Sequence, residues 1–191
     1  MTTSKGSVRI IGGQHKGRRL HFTDQNGDLR PTGDRLRETL FNWLQFDLRD
    51  RQVLDLFAGS GVLAAEALSR GAAHATVVEK KRPRCDDLKA QLTPIFAQRI
   101  RVQCADAMKW LERDGQGPFD LVFVDPPYDT GLQSAVCERL HMRGLLLPGA
   151  LVYVESRAHG AVPVVPRHWS LLKDKQSGDV RAQLYQVPEA A

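Results

Sequence analysis

The sequence predicts an α/β domain on an open, doubly wound, mostly parallel sheet. Three apolar runs carry the prediction: Val53–Phe57, Ala75–Val78 and Leu121–Val124. Each has the length of a buried strand, and stretches of helical spacing separate them. Each also meets polar residues at its end. Asp55-Leu56-Phe57-Ala58-Gly59-Ser60-Gly61 closes the first, Glu79 the second and Asp125-Pro126-Pro127-Tyr128 the third. In such sheets ligands bind beyond the carboxyl ends of the strands, so the three groups mark one candidate site.

Residues 1–28 read as a basic N-terminal extension. Val8 to Gly13 and Gln14 to Phe22 alternate around a Gly/Lys turn, the pattern of a β-hairpin. The chain carries a net charge of +5, and residues 1–37 hold the whole excess, with eight Lys and Arg against three Asp. A local cationic segment of this kind suits a phosphate backbone.

Residues 29–50 read as a capping helix started by Thr32 or Asp34, with Leu36, Leu40, Trp43 and Leu44 on its apolar face. Residues 51–191 read as the core. The G-x-G of Gly59 and Gly61 lets the backbone approach a ligand, and the helix after it offers free N–H groups. Glu79, twenty positions after Gly59, suits the hydroxyls of a cofactor ribose.

Downstream, Pro83–Leu92 reads as a helix stopped near Pro94, and Ile100–Cys104 as a strand. A short helix follows Asp106, a helix spans Leu132–Leu140 and a strand Ala150–Glu155. Two antiparallel strands are expected near Leu171–Lys173 and Arg181–Val187. Cys85, Cys104 and Cys137 are widely spaced, which argues against a disulfide framework or zinc site; no metal is expected, and a reducing cytoplasm is the natural compartment. No apolar run is long enough to cross a membrane, and the first residues lack a signal-peptide core. A monomer is the simple expectation.

DLFAGSG followed by DPPY resembles the S-adenosylmethionine-dependent amino-methyltransferases. The segments Ile10 to Leu20, Leu29 to Leu44 and Gly178 to Tyr185 narrow the resemblance to the methyltransferase D family, which methylates guanine N2 in bacterial 16S ribosomal RNA. The resemblance spans nearly the whole chain. It implies the Rossmann-like class I fold, a seven-stranded sheet with helices on both faces, and S-adenosyl-L-methionine as cofactor. It implies a cofactor set of Arg30, Thr32, Arg35, Asp55, Phe57, Gly59, Ser60, Gly61, Glu79, Lys80, Asp106, Ala107 and Asp125. Asp106 would sit by the adenine, or simply cap its helix.

Asp125, Pro126, Pro127 and Tyr128 form the expected catalytic group. The Asp125 carboxylate and the Pro126 carbonyl each accept one N–H of the target amine, Pro127 stiffens the loop and Tyr128 stacks on the base. Lys16, Arg18, Arg19 and Arg37 are the candidate RNA contacts. Charge favours nucleic acid over protein, but only the resemblance selects 16S ribosomal RNA, within an assembling or assembled small subunit, over DNA. Methylation of DNA adenine or protein glutamine, and a non-catalytic RNA-binding assembly factor, are the alternatives.

Overall fold

The computed structural model describes residues 4–24, 33–127 and 130–189. Strands β1 (Ser4–Arg9) and β2 (Arg19–Asp24) form an antiparallel pair. After α1 (Asp34–Trp43) the chain alternates: β3 (Gln52–Asp55), α2 (Val62–Ser69), β4 (His74–Glu79), α3 (Arg82–Phe96), β5 (Ile100–Cys104), α4 (Ala107–Leu111), β6 (Phe119–Val124), α5 (Gln133–Met142), β7 (Leu146–Arg157). Strands β8 (Ser170–Ser177) and β9 (Val180–Gln186) follow.

The large sheet has seven strands in the order β5-β4-β3-β6-β7-β9-β8. The first five are mutually parallel, and β9 runs antiparallel to both its neighbours. The order reverses between β3 and β6, so the crevice opens at the carboxyl ends of these two strands. One face is covered by α1, α2 and α3, where Leu40, Ala64, Leu88 and Phe96 pack on Val53, Val77, Phe123 and Tyr153. On the other face Trp110, Val136 and Leu140 of α4 and α5 pack on Leu54, Val78, Val122 and Val152. Strand β8 is exposed along nearly its whole length, and its pairing with β9 shifts register between Leu171 and Lys173.

The N-terminal hairpin is separate from the large sheet, as expected, yet it is seated rather than protruding. Val8, Ile10 and Leu20 belong to the same buried cluster as α1, α2 and α3. The connection between its strands docks on the end of α2: Ser69 O accepts from Gln14 N at 2.7 Å, and Ser69 Oγ accepts from His15 N at 2.9 Å and donates to Gly12 O at 2.7 Å. Gly13, at φ +73°, makes this possible, because a Cβ there would run into the Ser69 carbonyl. Helix α3 supplies partners to the free edge of β2. Asp87 Oδ2 accepts from Thr23 N at 3.1 Å, and the Gln91 amide both accepts from His21 N and donates to His21 O.

Several boundaries differ from expectation. Strand β1 spans Ser4–Arg9 rather than Val8 to Gly13, and the N-cap of α1 is Gly33 with no side-chain cap, Asp34 lying inside its first turn. Helix α3 runs through Pro94 to Phe96, because burying Phe96 to 1% exposure outweighs the hydrogen bond that proline removes. Strand β7 begins at Leu146, where it pairs with Phe119 of β6.

Candidate active site

The glycine loop leaves β3 through Asp55, whose buried carboxyl is faced by the N–H groups of Phe57 in the loop and of Ala64 in the first turn of α2. Ala58 N donates to Val78 O at 3.0 Å, and Gly61 N to Ala58 O at 2.6 Å, so the loop is pinned to β4 and folded on itself. Gly59 and Gly61 have φ of +51° and +74°. At Gly61 the need is partly internal: a Cβ would lie 2.5 Å from Leu88 Cδ2 and 2.8 Å from Leu92 Cδ1. The positive φ together with closeness to α3 therefore favours glycine there whether or not a ligand is near. Ser60 is buried and Phe57 half-buried.

Glu79 ends β4 beside this loop. Its Oε2 accepts from Gly59 N at 3.1 Å and its Oε1 from Lys81 N at 2.7 Å. At the end of β5, Asp106 caps α4 by accepting from Lys109 N at 3.3 Å, and its Oδ2 lies 3.2 Å from Lys80 Nζ. Ala107 is buried behind it. The fit to an adenosine-bearing cofactor is good: a turn of positive-φ glycines opens a helix, and two carboxylates end the next two strands with N–H donors already around them.

Asp125 follows β6 and is half-buried; Pro126 is buried and Pro127 exposed. The Pro127 carbonyl accepts from Thr130 N at 3.1 Å and from Thr130 Oγ1 at 2.7 Å. Arg30, Thr32 and Tyr128 lie outside the described residues. Arg35 is exposed on the first turn of α1.

Arg37 requires a correction. It was expected at the RNA surface but is fully buried, with Nη1 donating to Arg9 O at 2.8 Å, Nη2 bonded to Asp34 and Glu66 3.9 Å away. Glu66, itself buried, also accepts from Ile11 N at 2.8 Å and Arg70 Nε at 2.7 Å. This network joins the hairpin, α1 and α2 internally, so Arg37 has no solvent-facing charge to offer. Lys16, Arg18 and Arg19 are exposed as expected.

One residue was missed. Val124 pairs with Val154, so Asp125, just past the end of β6, lies beside Glu155 of β7, two steps beyond the Phe123–Tyr153 pair. Glu155 is 1% exposed, accepts from Tyr153 Oη at 2.8 Å and shares its backbone carbonyl with Gln133 Nε2 at 3.1 Å. Its sequence signal is an acid that ends an otherwise apolar run, Leu151-Val152-Tyr153-Val154.

Electrostatically, the acids of the crevice divide. Burial pushes the Asp55 carboxyl up to about 7, reinforced by the Glu79 and Glu155 charges and only partly opposed by the Phe57 and Ala64 N–H groups. Burial also acts to raise Asp106, but the Lys109 N–H and the Lys80 ammonium outweigh it and hold that carboxyl below its ordinary value.

A family model described as Conserved hypothetical protein 95 matches residues 8–186. Ribosomal RNA small subunit methyltransferase D of Escherichia coli K12 is 47% identical over 96% of this chain and 92% of its own length. Its namesake in Haemophilus influenzae is 40% identical over 96% and 95%. Among solved structures, the yhhF protein of Escherichia coli superposes with a TM-score of 0.87 at 43% identity, covering 97% of this chain and all of that one. A S-adenosylmethionine-dependent methyltransferase from Streptococcus mutans, 14% identical at a TM-score of 0.65, shares the fold. The chain belongs to the Conserved hypothetical protein 95 family, in company with the small-subunit ribosomal RNA methyltransferases D.

Proposed function

We propose that the protein transfers a methyl group from S-adenosyl-L-methionine to the exocyclic N2 amine of one guanine in 16S ribosomal RNA. The observation that carries this reading is the placing of Asp125 and Pro126 at the strand-order reversal, next to the glycine loop pinned by Asp55 and Glu79. The relatives named above act on ribosomal RNA of the small subunit, which supports the substrate class. Phe57, Ser60 and the glycines hold the methionine end of the cofactor, Glu79 its ribose, and Asp106 with Ala107 and Lys80 its adenine side. Arg35, on the first turn of α1, with Arg30 and Thr32, completes the cofactor set.

When bound, the cofactor supplies a methyl group already activated on a sulfonium. The remaining work falls to this chain's own groups. The guanine amine is a poor nucleophile because its lone pair is delocalised into the ring. The Asp125 carboxylate accepts one N–H and the Pro126 carbonyl the other, which turns the lone pair toward the methyl and stabilises charge developing on nitrogen. Glu155, braced by Tyr153, stands beside Asp125 on β7. Tyr128 stacks on the base, which must leave its own stack to enter. Lys16, Arg18 and Arg19 present the N-terminal hairpin to the phosphate backbone of RNA in an assembling or assembled small subunit, in the cytoplasm.

Transfer of labelled methyl to small subunits from cells lacking the gene, followed by nucleoside analysis, tests the proposal. Label in N2-methylguanosine is the expected result. Label in another nucleoside, or none in RNA while cofactor is bound, would overturn it.

A further inference from the structure

Two of the three thiols meet at the cofactor crevice. Ile100, Val102 and Cys104 alternate onto the face of β5 that α3 covers, and Cys104 is the register partner of Glu79. Cys85, in the first turn of α3, is fully buried and donates its thiol to Glu79 O at 3.2 Å. The same carbonyl accepts from Ala105 N, the residue after Cys104, at 2.9 Å. The Cys104 thiol is near enough to be among the groups that raise Cys85. Cys104 is exposed and Cys85 is not. Methyl transfer uses neither.

We propose that Cys104 and Cys85 are a redox-sensitive pair in which a hydroperoxide oxidises Cys104 and Cys85 closes a disulfide that weakens cofactor binding. The asymmetry sets the order of events. Burial, with the Cys104 thiol and the Glu79 and Asp86 charges, pushes Cys85 up to about 12, so it stays protonated while exposed Cys104 meets the oxidant. The Cys104 thiolate attacks the peroxide; an S–O bond forms, the O–O bond breaks and hydroxide or alkoxide leaves. The Cys85 sulfur then loses its proton to water and attacks the Cys104 sulfur; the S–S bond forms, the S–O bond breaks and water departs. The two electrons lost by the thiols reduce the hydroperoxide.

The bond would act on the crevice through Glu79. Cys85 must leave the Glu79 carbonyl, and the first turn of α3 becomes tied to the end of β5. Glu79 holds the Gly59 and Lys81 amides, and Asp106 lies two residues beyond Cys104. Both acids shift together. The inference rests on the reading that these two acids hold the cofactor.

The test uses the full chain, reduced and then treated with hydrogen peroxide. Non-reducing peptide mapping is expected to show a Cys85–Cys104 link, and calorimetry an affinity for S-adenosylmethionine at least fivefold weaker, restored by dithiothreitol. Cys104→Ser should bind cofactor equally before and after peroxide. Cys85→Ser should carry Cys104 on to sulfenic and sulfinic acids without a link. Absence of the link in the unsubstituted protein, or a link with affinity unchanged within twofold, would overturn the inference and leave the cofactor site standing. Reduced protein that binds no cofactor would overturn the cofactor site itself, and this inference with it.

Discussion

Asp55 and Asp125 close adjacent strands, yet one is sealed beneath the glycine loop and the other reaches the crevice. Asp125→Ala is therefore expected to lower methyl transfer by roughly 10²–10³-fold, the scale of losing one transition-state hydrogen-bond partner, with cofactor affinity by calorimetry unchanged within about threefold. A large loss of affinity would move Asp125 from the amine to the cofactor. Asp55 predicts a pH effect instead. Its carboxyl rises from 3.8 to about 7 on folding, so the folded state binds the extra proton between those limits. Unfolding free energy contributed by this group is therefore highest at the acid end and falls as pH rises from about 4 to 7, by an amount on the order of 3–4 kcal/mol. Urea unfolding at pH 5 and pH 8 checks this, and Asp55→Asn should flatten the difference. A steep fall that persists in the variant would assign it elsewhere. The sequence marked both aspartates as site residues, because strand-end acids are visible in one dimension. It gave Asp125 the catalytic task and Asp55 a place in the cofactor set, but only the folded loop shows that Asp55 is covered.

Elements repeat that division between what periodicity reveals and what packing decides. Leu36, Leu40 and Leu44 recur at helical spacing and all are buried, so α1 was legible. The end of α3 was not, because Pro94 is a local stop signal and Phe96 answers to the core. Beyond Phe96, Ala97 turns the chain at φ +49° and ψ −123°, a conformation that glycine adopts without a Cβ penalty. Ala97→Gly should raise stability by about 1 kcal/mol, the strain relieved less the added unfolded-state entropy, visible as a higher Tm. Gly61→Ala should act oppositely. The strained φ and the contacts with Leu88 and Leu92 should cost about 1–3 kcal/mol even without cofactor. A variant of unchanged Tm that merely binds cofactor poorly would restore ligand approach as the whole reason for that glycine.

Across the whole molecule, charge counting located the cationic end of the chain but could not see which cations face water. Arg37 contributes to the sequence excess and is internal, whereas Lys16, Arg18 and Arg19 are exposed. The two groups should separate cleanly in RNA-binding titrations. Arg18→Glu with Arg19→Glu should weaken binding and reduce the slope of log affinity against log salt by about 2, one per phosphate contact. Arg37→Met should leave that slope unchanged and destabilise the fold by about 3 kcal/mol or more, because Glu66 and Asp34 lose a buried partner. A changed slope in Arg37→Met would return that residue to the RNA. At the far end of the large sheet, β8 has a consequence of another kind. An open edge invites strands from other molecules, which is how sheet proteins aggregate. Here an incoming strand would meet the register shift at Leu171–Lys173 and then Lys173, Asp174 and Lys175 in succession. Continuous pairing is interrupted at the shift and like-charged copies repel along the lysines, so both features oppose the addition of an eighth strand from another copy.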